Sequence, residues 1–145
     1  MGYRRAAHAT YELKYHLVWI TKYRRPVLRG AVGLRTRELI RQTCAALDVE
    51  IIKGHVGVDH VHLLVSVPPQ VSVSDLMRRI KGRSARLLLA EFEELKRQYW
   101  GRHLWARGYF AVSSGNVTDT VIARYIELQG ELPPDADEDF RVADL

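Results

Sequence analysis

The chain has 145 residues, 47% of them apolar and 27% charged, which is enough for one domain with its own core. No apolar run approaches the ~20 residues that cross a bilayer, and the opening "MGYRRAAHATYELK" has neither the apolar stretch of a signal peptide nor a myristoylation pattern. A single cysteine, Cys44, excludes an internal disulfide and any Cys-rich zinc motif, so the simple reading is a cytoplasmic protein with no membrane partner. The net charge of +5 is unevenly spread: residues 131–145 hold six acids and only Arg141, which leaves 21 basic and 11 acidic residues in 1–130, a balance of +10. A body that basic points to a polyanionic partner, most often nucleic acid.

In chain order, "TYELKYHLVWITKYR" alternates as a strand over roughly 10–22, with Tyr11, Leu13, Tyr15, Leu17 and Trp19 on one face. "GLRTRELIRQTCAALD" is an amphipathic helix whose stripe is Leu34, Leu39, Ile40, Cys44 and Leu47. "VEIIKGHVGV" and the strand from His60 form an antiparallel hairpin about a turn near Gly57–Asp59. "SVSDLMRRIKGRSARLLLAEFEELKRQYW" is helical, with an interruption at Gly82. "LWARGYFAVSSG" is a short strand, and "NVTDTVIARYIELQG" a last helix, with a cap at Asn116 and Asp119 and a stop at Gly130. The acidic residues 131–145 have little to bury and read as a mobile tail after a single domain, 1–130. The first six elements, β, α, β, β, α, β, are the split βαβ pattern of an α+β, ferredoxin-like (RRM-like) fold, an antiparallel sheet with helices on one face and the other open. The last helix is an addition to it.

In "VDHVHLLVSV", residues two apart share a strand face. Val61, Leu63, Val65 and Val67 then pack under the helices, and His60 and His62 stand on the open side. Two imidazoles on one face suit a metal ion, provided a third ligand exists. The last helix supplies a candidate. Tyr125 and Gln129 are four apart and share a helix face, outside the stripe of Ile122 and Ile126. Asp59 is placed either to orient a histidine from behind or to serve only as a turn residue. His16 shares a strand face with Glu12 and Lys14, beside the site if that face is the open one.

"DHVHLLV" followed by "YIELQ", with "YHLVWITKYRRPVL", "IKGRSARLL" and "GYFAVSSG", resembles the single-tyrosine HUH transposases of bacterial insertion sequences, a group that includes the repeat-associated tyrosine transposases. The resemblance covers about 1–130, and the acidic tail departs from it. It implies that Tyr125 is a nucleophile that cuts single-stranded DNA, forms a 5′-phosphotyrosine and later yields to a 3′-hydroxyl. It implies that His60, His62 and Gln129 hold a divalent cation, Mg²⁺ or Mn²⁺, for which Zn²⁺, Co²⁺ or Ni²⁺ can substitute. No nucleotide cofactor is needed, because a covalent intermediate conserves the phosphodiester. The implied DNA is hairpin-bearing, and the implied assembly is a homodimer whose active sites are shared between subunits, acting at the bacterial nucleoid.

Two basic groups are candidates for DNA contact. Lys22, Arg24 and Arg25 surround Tyr23, and Arg79, Arg83 and Arg86 form a helical stripe, with Arg4 and Arg5 as a basic arm. Ser84 is placed either as a phosphate donor or as a cap for the helix resuming after Gly82. A non-catalytic RNA-binding module on the same sheet finds only a partial echo of its signature in "RGYFAV" and leaves Tyr125 and Gln129 without a role. A phosphoesterase with two H-x-Ser/Thr motifs fails for want of the second motif. A domesticated relative that cuts palindromic genomic repeats stays open beside a working transposase.

Overall fold

A computed structural model describes residues 3–113 and 124–128. The elements run β1 (Arg4–Ala6), β2 (Ala9–Tyr11), β3 (Lys14–Ile20), α1 (Gly30–Ala46), β4 (Glu50–Val56), β5 (His60–Ser66), α2 (Val73–Glu91), α3 (Glu93–Gln98) and β6 (Phe110–Ser113). Residues 124–128 are again helical. The main sheet has the order β4-β5-β3-β6 with every pair antiparallel, so β3 and β5 are central. This is the α+β, ferredoxin-like arrangement expected from the order of elements.

The chain differs from expectation at the N-terminus. The first strand begins only at Lys14, and residues before it fold back as the β1–β2 hairpin. Arg4 pins that hairpin to the sheet end: its Nη1 donates to the Ser66 carbonyl at 2.9 Å and its Nη2 to the Asp48 carbonyl at 3.0 Å.

One core lies between the sheet and the helices. Leu17 and Trp19 of β3, Val61, Leu63 and Val65 of β5, and Val67 just beyond it, pack with Leu39, Ile40 and Cys44 of α1 and Leu76, Met77, Ile80 and Leu88 of α2. Leu34 departs from the expected stripe of α1 and is 69% exposed. Thr36 and Thr43 are buried instead, each satisfying its hydroxyl on the carbonyl four residues earlier. The predicted interruption at Gly82 is absent. Helix α2 runs through it, because Ile80, Ser84 and Leu88 anchor a continuous buried face that outweighs the ~1 kcal/mol cost of a helical glycine. The break falls at Phe92, whose backbone is extended (φ −117°, ψ 100°).

The opposite sheet face is not wholly open. Val18 and Ile20 of β3 and Phe110 of β6 form a second buried cluster with Ala106, Tyr125 and Ile126. Tyr125 therefore lies in the buried contact beside Ile126, rather than off the apolar side of its helix. Ile122, Gln129, the cap at Asn116 and Asp119, the stop at Gly130 and the acidic segment 131–145 lie outside the described residues.

Candidate active site

The alternation of β5 carries Val61, Leu63 and Val65 into the core and leaves His60 and His62 half-buried on the other face. The register fixes their neighbours. His60 pairs across to Ile20, and His62 to Val18 on one side and His55 on the other. His16, opposite Leu64, is the diagonal neighbour of His62, and its Nδ1 lies 3.0 Å from His62 Nε2. The His55 and His60 rings are 5.8 Å apart. Four of the six histidines of the chain thus share one face. His55 was not singled out from the sequence: a turn at Gly57–Asp59 would pair position 55 with position 61, and the observed register, with Val56 opposite Val61, brings His55 opposite His62 instead.

The β4–β5 turn fits closely around His60. The Gly57 N–H donates to the His60 carbonyl at 2.8 Å. A Cβ on Gly57 would stand 2.5 Å from His60 Cε1 and 2.8 Å from its Nδ1, so only glycine leaves room for the imidazole. Asp59 Oδ1 lies 2.9 Å from His60 Nδ1, and Arg24 Nε donates to Asp59 Oδ2 at 2.9 Å. Burial by itself would raise the Asp59 carboxyl. The hydrogen bonds from His60 and Arg24 outweigh that and hold it below the ordinary carboxylate range. The turn is tied to the end of β3 by the Thr21 N–H on the Asp59 carbonyl (3.0 Å) and the Leu28 N–H on the Val58 carbonyl (2.8 Å). An arginine, a carboxylate and an imidazole therefore form one chain with a fixed ring orientation.

Tyr125 meets the same sheet face. It packs with Val18 and Ile20, the cross-strand partners of His62 and His60, and its ring centroid is 5.3 Å from that of Phe110. It is 1% exposed. Gln129 lies outside the described residues. Among the described residues no three His, Cys, Asp or Glu side chains converge as a metal-binding group.

The two basic groups read from the sequence are not brought together. Lys22, Tyr23, Arg24 and Arg25 occupy a tight turn after β3, beside Asp59, with the Lys22 ammonium 5.5 Å and the Arg25 guanidinium 5.2 Å from the Tyr23 ring centroid. Arg79, Arg83 and Arg86 instead line a groove of about 500 Å³ between α1 and α2, with Arg78, Gln42 and Thr43. That groove is on the helical layer, across the sheet from the histidines. Arg79 is paired with Asp75 at 3.1 Å, and Arg83 donates to Gln42 Oε1 at 2.8 Å. Ser84 is neither a surface donor nor a cap. It is 1% exposed inside α2, donates to the Ile80 carbonyl at 2.6 Å and accepts the Trp105 indole N–H at 3.0 Å, so it is a core contact without access to a phosphate.

The family described as "Transposase IS200 like" matches residues 9–129. The ISDra2 transposase TnpA of Deinococcus radiodurans is 39% identical over 119 residues, covering 82% of this chain and 85% of its own. The transposase for insertion sequence element IS200 of Salmonella typhimurium is 36% identical over 125 residues, covering 86% of this chain and 82% of its own. A crystal structure of a candidate transposase from Deinococcus radiodurans superposes with a TM-score of 0.80 at 34% identity, over 87% of this chain and 97% of that one. A REP-associated tyrosine transposase bound to a REP hairpin shares the fold, with a TM-score of 0.55 at 15% identity, over 97% of this chain and 80% of that one. A histidine-bearing sheet face and a tyrosine packed on it thus stand within a match that spans nearly the whole described chain, and the chain belongs to the IS200-like transposase family.

Proposed function

We propose that this transposase cleaves and rejoins single-stranded DNA at hairpin-bearing element ends through a 5′-phosphotyrosine on Tyr125. The observation that carries this reading is the meeting of Tyr125 with the sheet face that bears His60 and His62. The phenolic oxygen bonds to phosphorus, the bond from phosphorus to the 3′ oxygen breaks, and that oxygen takes up a proton as a free 3′-hydroxyl. The reverse attack by another 3′-hydroxyl joins new ends. A buried phenol cannot meet a phosphate, so the reaction requires residues 124–128 to lift from Val18, Ile20 and Phe110 when DNA binds.

His60, His62 and Gln129 would hold Mg²⁺ or Mn²⁺. The donor set suits a cation at His60: with Nδ1 donating to Asp59, Nε2 keeps the lone pair a ligand needs. His62 would exchange its present contact with His16 for the ion. When bound, the cation polarises the scissile phosphate and stabilises charge in the transition state. The chain's own contribution is orientation. Gly57 leaves room for the His60 ring, Asp59 fixes its tautomer, and Arg24 keeps Asp59 ionised.

Lys22, Arg24 and Arg25 with Tyr23 supply a DNA-contacting surface next to the histidines, and Arg79, Arg83 and Arg86 a separate one on the helical layer. By resemblance the protein works as a homodimer, and the tyrosine helix that here covers the sheet face of its own copy would, once lifted, serve the histidine pair of the other copy. Greater identity to insertion-sequence transposases than to the REP-associated protein favours element ends over genomic repeats as the substrate. The REP hairpin bound by the latter nevertheless supports a hairpin as the recognised shape.

The test is a His60→Ala, His62→Ala double variant, assayed for cation-dependent cleavage of a labelled hairpin strand. Cleavage should be abolished while hairpin affinity changes little, because phosphate contacts supply most of it. Undiminished cleavage would refute the assignment.

A further inference from the structure

Besides Tyr3 near the N-terminus, two large aromatic side chains of the described residues are exposed: Tyr23 at 44% and Trp100 at 73%. Both sit on left-handed backbone. The φ angles are +60° at Tyr23, +53° at Arg24 and +52° at Trp100, and Gly101 follows at +69°. Bulky residues rarely adopt this region, and such backbone concentrates at ligand-binding sites.

The two turns are bound into one surface. The Lys22 N–H donates to the Leu104 carbonyl at 2.7 Å, Tyr99 Oη donates to the Lys22 carbonyl at 3.1 Å, and Arg25 Nη1 donates to the Gln98 carbonyl at 2.5 Å. The Arg25 guanidinium stands 5.2 Å from the ring centroids of both Tyr23 and Tyr99, the residue that precedes Trp100. Arg24, between Tyr23 and Arg25, is the residue that holds Asp59 and so reaches His60. The surface therefore adjoins the histidine face. Isolated exposed aromatics need no explanation. Two of them on interlocked strained turns, with Lys22 and Arg25 beside the Tyr23 ring, match the composition of single-strand binding surfaces, where rings stack bases and cations follow the backbone.

We propose that Tyr23 and Trp100 are stacking platforms for unpaired bases of the DNA strand that leads to His60 and His62, with Lys22 and Arg25 on its phosphates. Trp100 is thereby assigned a substrate-positioning role that its sequence context did not suggest. The inference rests on the single-stranded substrate proposed above. Because stacking is indifferent to base identity, the platforms position the strand without selecting its sequence.

The experiment uses the full chain, a short oligothymidylate, an abasic strand of the same length, and a duplex containing the oligothymidylate. Wild type should prefer oligothymidylate to both other probes. Trp100→Ala and Tyr23→Ala should each weaken oligothymidylate binding roughly 5- to 100-fold, the range expected from one lost stack. Trp100→Phe should restore most of the affinity. Abasic-strand affinity and the salt dependence should stay unchanged, since neither residue carries charge. Equal losses on oligothymidylate and abasic strands, or no loss at all, would overturn the platform while leaving the single-strand substrate intact. A wild type that binds duplex as well as single strand would remove that substrate, and the platform with it.

Discussion

The His60 imidazole lies against the α-carbon of Gly57 so closely that a methyl group there would stand 2.5 Å from its Cε1. The glycine is fixed by this approach rather than by a turn dihedral. Gly57→Ala should push the ring off Asp59, lower stability by about 1–3 kcal/mol through overpacking and remove most cleavage activity. Denaturant unfolding and a cleavage assay on the same preparation check both parts. An active Gly57→Ala protein would mean that the position of His60 is not needed for the chemistry.

Asp59 joins Arg24 to His60 at 2.9 Å on either side. Asp59→Asn keeps the shape but removes the charge that fixes the histidine tautomer and pairs the guanidinium. Loss of such a partner behind a metal-binding histidine ordinarily costs 10–100-fold in affinity or activity, roughly the loss expected here. Calorimetric titration with Mn²⁺ in the presence of uncleavable DNA measures it. Unchanged Mn²⁺ affinity would return Asp59 to the role of a turn residue.

Much of this site was legible because strand geometry leaves little choice. Period-two alternation alone separates His60 and His62 from Val61, Leu63 and Val65, and the structure keeps that division. His55 was not accessible in this way, because the observed hairpin pairs Val56 with Val61 and so differs by one residue from the register of a turn at Gly57–Asp59. Ser84 was not legible, because its partner Trp105 stands 21 residues away in the chain. Gly82 misled for a related reason: helix propensity is local, and the buried face of α2 that overrides it is made with Leu17, Trp19 and other residues of distant strands. The cover over Tyr125 depends on Phe110 and Ala106, which only the folded chain brings to that helix.

Tyr99 gives a pH dependence. Burial pushes its phenol up to about 12, against the opposing pull of the Arg25 charge. A phenol with a higher pKa folded than unfolded stabilises the fold fully below its ordinary value near 10, and that contribution is lost as pH rises through 10 towards 12. Tyr99→Phe should therefore flatten the alkaline fall in stability, and cost about 1 kcal/mol at neutral pH for the lost bond to the Lys22 carbonyl. Denaturation midpoints across an alkaline pH series measure both. An equally steep fall in the variant would contradict this account.

Residues 131–145 carry six acids against one arginine, opposite in sign to the +10 balance of residues 1–130. If they compete with DNA, their deletion should tighten hairpin binding, most at low ionic strength where charges are least screened. Equal affinity of the full and shortened chains at low salt would make the segment a bystander.

Tyr125 carries the central claim, and Phe differs from it only by the hydroxyl. Tyr125→Phe should keep the ring contact with Phe110 and still bind the hairpin. The measurement is denaturing electrophoresis of the protein after incubation with Mg²⁺ and a labelled single-stranded hairpin. Wild type should give a denaturant-resistant adduct carrying the fragment whose 5′ phosphate lies at the break. That adduct should be absent with duplex DNA of the same sequence and absent with Tyr125→Phe. An adduct that persists in Tyr125→Phe would place the nucleophile elsewhere, and a wild type that forms none on any hairpin would contradict the covalent mechanism itself.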